Sequence, residues 1–298
     1  MEQNSSSFLS SIHQANEIRN IAQYILHSDI KDKAVIQTAK TALSIPINYM
    51  RWAEFTSINQ LIELNKGEKL LDVGSPQWYS LSMAKLHPEN YFVYINILPE
   101  EINPFENIAK YCNIKNITYK PEDVRELSFL DCVFDKIISI SAIEHVYPEV
   151  GGDVMALTQM KRVLKSRGKI YLTIPYKEKH GIVYKRGAVY ERTTAKENFY
   201  AREYDQHSFT KLLEDTSLTS EKSLYIHEEQ GIFALDYYSY GPGQSTFLGQ
   251  KRKKIVRLLD SIFSLSLIKR LAMRYLHISE KPLYRLVNIS VELTPTTA

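Results

Sequence analysis

From Lys69 onward the chain alternates short apolar runs rich in β-formers with stretches long enough for a helix, and this alternation restricts its fold more than any other feature. Strands are expected at 69–73, 91–96, 117–119, 134–141 and 169–174, with crossover helices over 80–86, 104–112 and 153–165. Strands separated by helices imply parallel βαβ units. The run Lys136-Ile137-Ile138-Ser139-Ile140 is nearly all apolar, as expected where helices cover both faces of a parallel sheet. Further strands are expected at 223–227 and 286–293, where Val287, Ile289 and Val291 alternate with polar residues. Before Lys69 the pattern is helical: Ile18, Ile21, Ala22 and Ile25 recur at helix spacing, and Trp52, Phe55, Ile58 and Ile62 do so again. The expected organisation is therefore an N-terminal helical segment, 1–66, packed on an α/β domain, 67–298, with a helical insert at 231–280.

Composition narrows the class. A hydrophobic share of 44% and a charged share of 24% are ordinary for globular proteins and argue against wholesale disorder. No run approaches the length of a membrane span, and the start is polar and serine-rich, so neither a span nor a leader is expected. Cys112 and Cys132 are too few for a disulfide framework and are not spaced as a metal site, which suits a reducing, cytoplasmic setting. The net charge of +3 hides an asymmetry: 251–274 holds eight Lys/Arg and one acid, Asp260.

In an open α/β sheet, ligands bind beyond the carboxyl ends of the strands, near the point where strand order reverses. The residues at those ends are Asp72-Val73-Gly74-Ser75-Pro76, Asn96-Ile97-Leu98-Pro99-Glu100, Glu122-Asp123-Val124 and Ser141-Ala142-Ile143-Glu144-His145. The second and third glycines of the dinucleotide fingerprint are missing, which argues against a nicotinamide-dependent dehydrogenase. With these strand ends the chain resembles the class I S-adenosylmethionine-dependent methyltransferases, over about 69–175, especially the group whose fourth strand ends in Leu/Ile-Glu-His-Val. The resemblance implies a Rossmann-like, doubly wound seven-stranded sheet, mostly parallel with an antiparallel last strand. It also implies S-adenosylmethionine as cofactor, no metal, and cofactor contacts from Asp72 and Gly74 near the amino acid end, Asn96 and Ile97 at the ribose, Asp123 and Val124 at the adenine, and Ser141 under the methionine portion. Two positions depart from the pattern: Pro76 stands where a glycine is usual, and Asn96 replaces a carboxylate with an amide that has one acceptor oxygen. A non-catalytic relative that keeps the fold is the alternative these departures leave open.

Methyl transfer from a sulfonium is an in-line displacement that needs positioning in a dry pocket rather than a nucleophilic side chain. For a hydroxyl acceptor, His145 is the candidate general base, the alternative being a histidine that caps or packs the turn. The stretch 175–204 shows little periodicity and reads as a long loop, rich in tyrosines and in Lys and Arg, pointing to an anionic small-molecule, glycan or lipid-linked acceptor. The basic insert 251–274 is expected to pack in the fold, with contact at an anionic membrane surface as the other reading; nucleic acid lacks a supporting module.

Overall fold

A computed structural model of the chain describes residues 8–190, 197–229, 267–283 and 285–296. Three helices open it: α1 (Leu9–Leu26), α2 (Lys33–Ser44) and α3 (Tyr49–Leu61). Asp32 caps α2 by accepting from the backbone N–H of Ala34 at 2.9 Å and of Val35 at 3.2 Å, and Asn48 caps α3 through Arg51 N at 3.3 Å. The alternating part follows as β1 (Lys69–Val73), α4 (Gln77–Leu86), β2 (Tyr91–Asn96), α5 (Pro99–Tyr111), β3 (Ile117–Pro121), β4 (Phe134–Ile140), α6 (Gly152–Val163) and β5 (Leu164–Pro175). The chain continues through β6 (Gly181–Arg186), β7 (Glu197–Glu203), α7 (Gln206–Thr216), β8 (Leu218–Glu228), α8 (Leu267–Tyr275), β9 (Leu276–Ser279) and β10 (Leu286–Pro295).

The main sheet runs β3-β2-β1-β4-β5-β10-β8-β9. Its first five strands are parallel neighbours, whereas β10 is antiparallel to both β5 and β8. Side-chain alternation sends Leu70, Phe92 and Ile138 to one face and Leu71, Val93 and Ile137 to the other, and both faces are covered. On the first, α1 to α5 and α8 pack into one core with the sheet; on the second, Leu157 and Met160 of α6 and Phe209 and Leu212 of α7 fill the layer. The N-terminal helices thus bury their apolar stripes directly against the alternating part.

Three features differ from the sequence reading. The sheet has eight strands, not seven, because Leu276–Ser279 pairs antiparallel with β8 at its edge. That strand falls inside the insert expected to be helical; 230–266, including the Lys251-Arg252-Lys253-Lys254 run, lies outside the described residues, and the described part of the basic segment, α8, packs on α3 with Ala272 fully buried. The expected loop at 175–204 contains an antiparallel arm, β6 with β7. A register shift between Val183 and Tyr184 breaks its alternation, which hides the ribbon from a period-two reading.

Candidate active site

A cavity of about 390 Å³ opens beyond the carboxyl ends of β1 to β4 and reaches the arm. It lies where strand order reverses between β1 and β4. Seven of the eight residues expected at the site face it: Gly74, Asn96, Ile97, Asp123, Val124, Ser141 and His145.

The eighth, Asp72, is buried behind the turn. Its carboxylate accepts from Ser75 N at 3.0 Å and from the Ser80 hydroxyl, so it shapes the turn between β1 and α4. Burial pushes its pKa up to about 6 against the lowering effect of those hydrogen bonds. Ser75 ties the turn to its neighbours, accepting from Ile140 N at 2.9 Å through its hydroxyl and from the Tyr94 hydroxyl at 2.9 Å through its carbonyl. These ties set the route that the chain takes through Pro76, which stands immediately before α4 with φ −52° and ψ 122° and makes no side-chain cap. Gly74 has φ +65°, and a Cβ there would meet Ala142 Cβ at 3.1 Å, so a side chain would be strained at this position, where Gly74 lines the cavity with backbone alone.

Asn96 uses its one acceptor oxygen on Leu98 N at 2.9 Å, and its amide donates to Glu101 Oε2 at 3.1 Å. Glu101 stands in the first turn of α5, is fixed further by Gln77 Nε2 at 3.0 Å, and lines the cavity. A carboxylate is therefore present beside Asn96 although the strand end lacks one. The sequence reading passed over Glu101, because it is separated from the strand end by a turn. At the next strand end, Asp123 accepts from Arg125 Nε at 2.9 Å and from its guanidinium NH2 at 2.5 Å. Partial burial works to raise its pKa, but the Arg125 hydrogen bonds prevail and hold it below the ordinary value.

Below the cavity floor lies a knot that the sequence reading did not anticipate. Ser141, at φ +47°, donates its hydroxyl to Glu54 Oε1. The same buried carboxyl receives Thr173 Oγ1 at 3.2 Å, Asn288 Nδ2 at 2.6 Å and the Arg51 guanidinium at 2.5 Å. One side chain of α3 thus joins the ends of β4 and β5 to β10, and Arg51 lines the cavity. The only hint in the sequence is an acid set within the apolar stripe of Trp52, Phe55 and Ile58.

His145 closes a short 3₁₀ turn after β4. Its Nδ1 lies 2.6 Å from the Tyr200 carbonyl, which can only accept, so Nδ1 carries the proton and Nε2 keeps its lone pair. Burial depresses its pKa to about 4; the Tyr200 hydrogen bond works the other way, and the charges of Arg51, Lys185 and Arg202 add to the depression. Glu144 is the converse case. Burial raises its pKa to about 8, and its Oε2 has no hydrogen-bond partner among the described residues.

The cations of the 175–204 stretch are mostly engaged by protein groups. Arg202 is buried and donates to the carbonyls of Glu144, Val146, Pro148 and Glu149, pinning the loop that carries His145. Lys177 pairs with Glu203 at 2.5 Å, Arg186 with Glu197 at 3.6 Å, and Lys185 Nζ sits 4.6 Å from the centre of the Tyr200 ring. Arg192 and Lys196 lie outside the described residues. The arm and its connection give the cavity Tyr200 and Tyr190, and the pinned loop gives it Tyr147.

Among solved structures, the chain is similar to the O-methyltransferase of a trans-AT polyketide synthase multienzyme from Brevibacillus brevis in complex with S-adenosyl-L-homocysteine, at 12% identity and TM-score 0.52 over 92% of this chain and 79% of that one. It is equally similar to the [4+2]-cyclase SpnF, at 14% identity and TM-score 0.52 over 84% of each chain. No curated protein sequence matches it significantly. At these identities the likeness speaks for the fold alone, and the presence of a cyclase shows that this fold does not fix one reaction. The family model described as "Methyltransferase domain" matches 64–231, more than half of the chain and all of the strand ends around the cavity. The chain belongs to this methyltransferase family and has the class I fold of S-adenosylmethionine-dependent enzymes.

Proposed function

We propose that the cavity catalyses methyl transfer from S-adenosylmethionine to a hydroxyl of a small molecule. The reading rests chiefly on one observation: the residues at four strand ends converge on one cavity at the point where strand order reverses. The residues present fit the cofactor, since Gly74, at φ +65°, lines the cavity with backbone alone and Glu101 offers the carboxylate that Asn96 lacks. When bound, the cofactor supplies a methyl electrophile: an acceptor lone pair forms the new C–O bond as the C–S bond breaks, its electrons passing to sulfur, and the acceptor hydroxyl sheds its proton.

The chain's own residues divide that work. Of the residues lining the cavity, Glu101 would accept from the ribose hydroxyls, Asp123 from the adenine amino group beside the Val124 backbone, and Arg51 would hold the α-carboxylate near Ser141. His145 takes the proton at Nε2. A pKa of about 4 makes it too weak to ionise an alcohol beforehand. It is basic enough for a hydroxyl already bonded to the methyl, because a protonated ether is a far stronger acid than this imidazolium. Because the described cations Lys177, Lys185, Arg186 and Arg202 close onto protein groups, a small neutral alcohol is preferred here to the glycan or lipid-linked anion expected from the sequence.

Isothermal titration with S-adenosylhomocysteine tests the reading; saturable 1:1 binding is expected, and its absence from the folded protein sinks the proposal. His145→Gln is expected to lower kcat by about 10² to 10³ while leaving S-adenosylhomocysteine affinity unchanged. A kcat within threefold of the parent would remove His145 from the chemistry.

A further inference from the structure

We infer that the acceptor is a flat, uncharged aromatic alcohol, recognised by the wall that His145 forms with Tyr190 and Tyr200; this rests on the methyl-transfer reading above. The His145 ring lies 4.7 Å from that of Tyr200 and 5.5 Å from that of Tyr190, centre to centre. The two tyrosine planes are parallel to within 3°, with centres 6.5 Å apart. All three rings line the cavity together with Tyr147. Among the described residues the wall keeps open surface, with Tyr147 44% exposed and Tyr190 38%. Aromatic surface left open in a cavity is covered most favourably by another ring, through stacked or edge-to-face contact that a puckered aliphatic ring does not reproduce.

Topology separates this wall from the cofactor contacts at the ends of β1, β2 and β3, though not from Ser141 at the end of β4. Gly74, Asn96 and Asp123 belong to the ends of β1, β2 and β3, on one side of the strand-order reversal. The wall belongs to the other side, built by the turn after β4 and by the arm. Charge argues in the same direction: Arg202 is consumed by carbonyls, and Lys185 lies against the Tyr200 ring. His145 supplies the polar element, with Nδ1 committed to the Tyr200 carbonyl and Nε2, 3.7 Å from Glu144 Oε1, carrying the lone pair that accepts from an acceptor hydroxyl. Rings for a planar body and one lone pair for its hydroxyl define an aromatic alcohol.

The test compares 2,3-dihydroxynaphthalene with its saturated counterpart, decahydronaphthalene-2,3-diol, by titration into the full chain with and without saturating S-adenosylhomocysteine. The aromatic diol is expected to bind at least about tenfold more tightly, a difference in reach of two or more ring contacts. Tyr190→Leu, at a partly exposed position, is expected to abolish that preference, and Tyr190→Phe to keep it. Equal affinity for the two diols, binding of neither, or a preference that survives Tyr190→Leu would overturn the inference. S-adenosylhomocysteine binding in the same samples reports on the methyl-transfer reading separately, so failure of the cofactor site and failure of the aromatic wall are distinguishable.

Discussion

At the scale of single residues, the site depends on carboxyl groups whose surroundings set different tasks. Glu101 illustrates displacement of a function along the chain: the strand end presents an amide, and the acid comes from the first turn of α5, held by Asn96 and Gln77. Glu101→Gln is expected to weaken S-adenosylhomocysteine about tenfold, the difference between a charged and a neutral hydrogen bond, with kcat at saturation little changed. Asn96→Asp sets a second carboxylate beside Glu101 and is expected to weaken binding as well. Improved binding in titrations of that variant would mean that Glu101 does not serve the ribose. Glu144 bears on stability instead. Its pKa is about 8 in the fold against 4.5 in the unfolded chain. Above pH 4.5 the unfolded chain gives up a proton that the fold keeps, so stability is fully present below that value and is progressively lost as pH rises through 8. Asp72, raised to about 6, titrates the same way but completes its change earlier. Between pH 6.5 and 8 the melting temperature of the parent is therefore expected to fall, and that of Glu144→Gln to fall less; parallel curves would show that Glu144 is not held protonated.

At the scale of elements, the sequence was most readable where the period of the hydrophobic pattern matched one element buried on both faces. The reading of 69–73 and 91–96 coincides with β1 and β2 at both ends. It was least readable where side chains serve a remote partner. Glu54 looks like an error in an apolar helix stripe until Ser141, Thr173 and Asn288, which lie 87, 119 and 234 positions away, are brought to it. The arm escaped for a similar reason. Its buried residues answer to the loop after β4, not to a core, and Arg202 spends its guanidinium on backbone carbonyls that no sequence pattern advertises. Arg202→Met tests the role of that clamp. Leaving buried carbonyls without donors is expected to cost about 2 to 4 kcal/mol of stability, seen in chemical denaturation. The same variant is expected to raise the KM for the acceptor more than that for the cofactor, because the arm and the His145 loop belong to the acceptor side. Equal increases would assign the clamp a general structural role.

At the scale of the whole molecule, the N-terminal helices and the alternating part share one core, with Ile18, Ala39 and Phe55 in the same cluster as Leu70, Tyr94 and Val287. A shared core predicts shared cooperativity, and differential scanning calorimetry is expected to show one transition; two resolved peaks would mean that the helices melt apart from the sheet. The Glu54 knot adds a temporal consequence. Its acid precedes β1, while Asn288 belongs to β10, 234 positions later in the order of synthesis. Chains generally begin to fold from the N-terminal side during synthesis. A chain made only as far as β9 can therefore form β1 to β4 and still lack the Asn288 amide that completes the floor beneath Ser141, so the strand that finishes this floor is the one farthest in sequence from the helix that carries its acid.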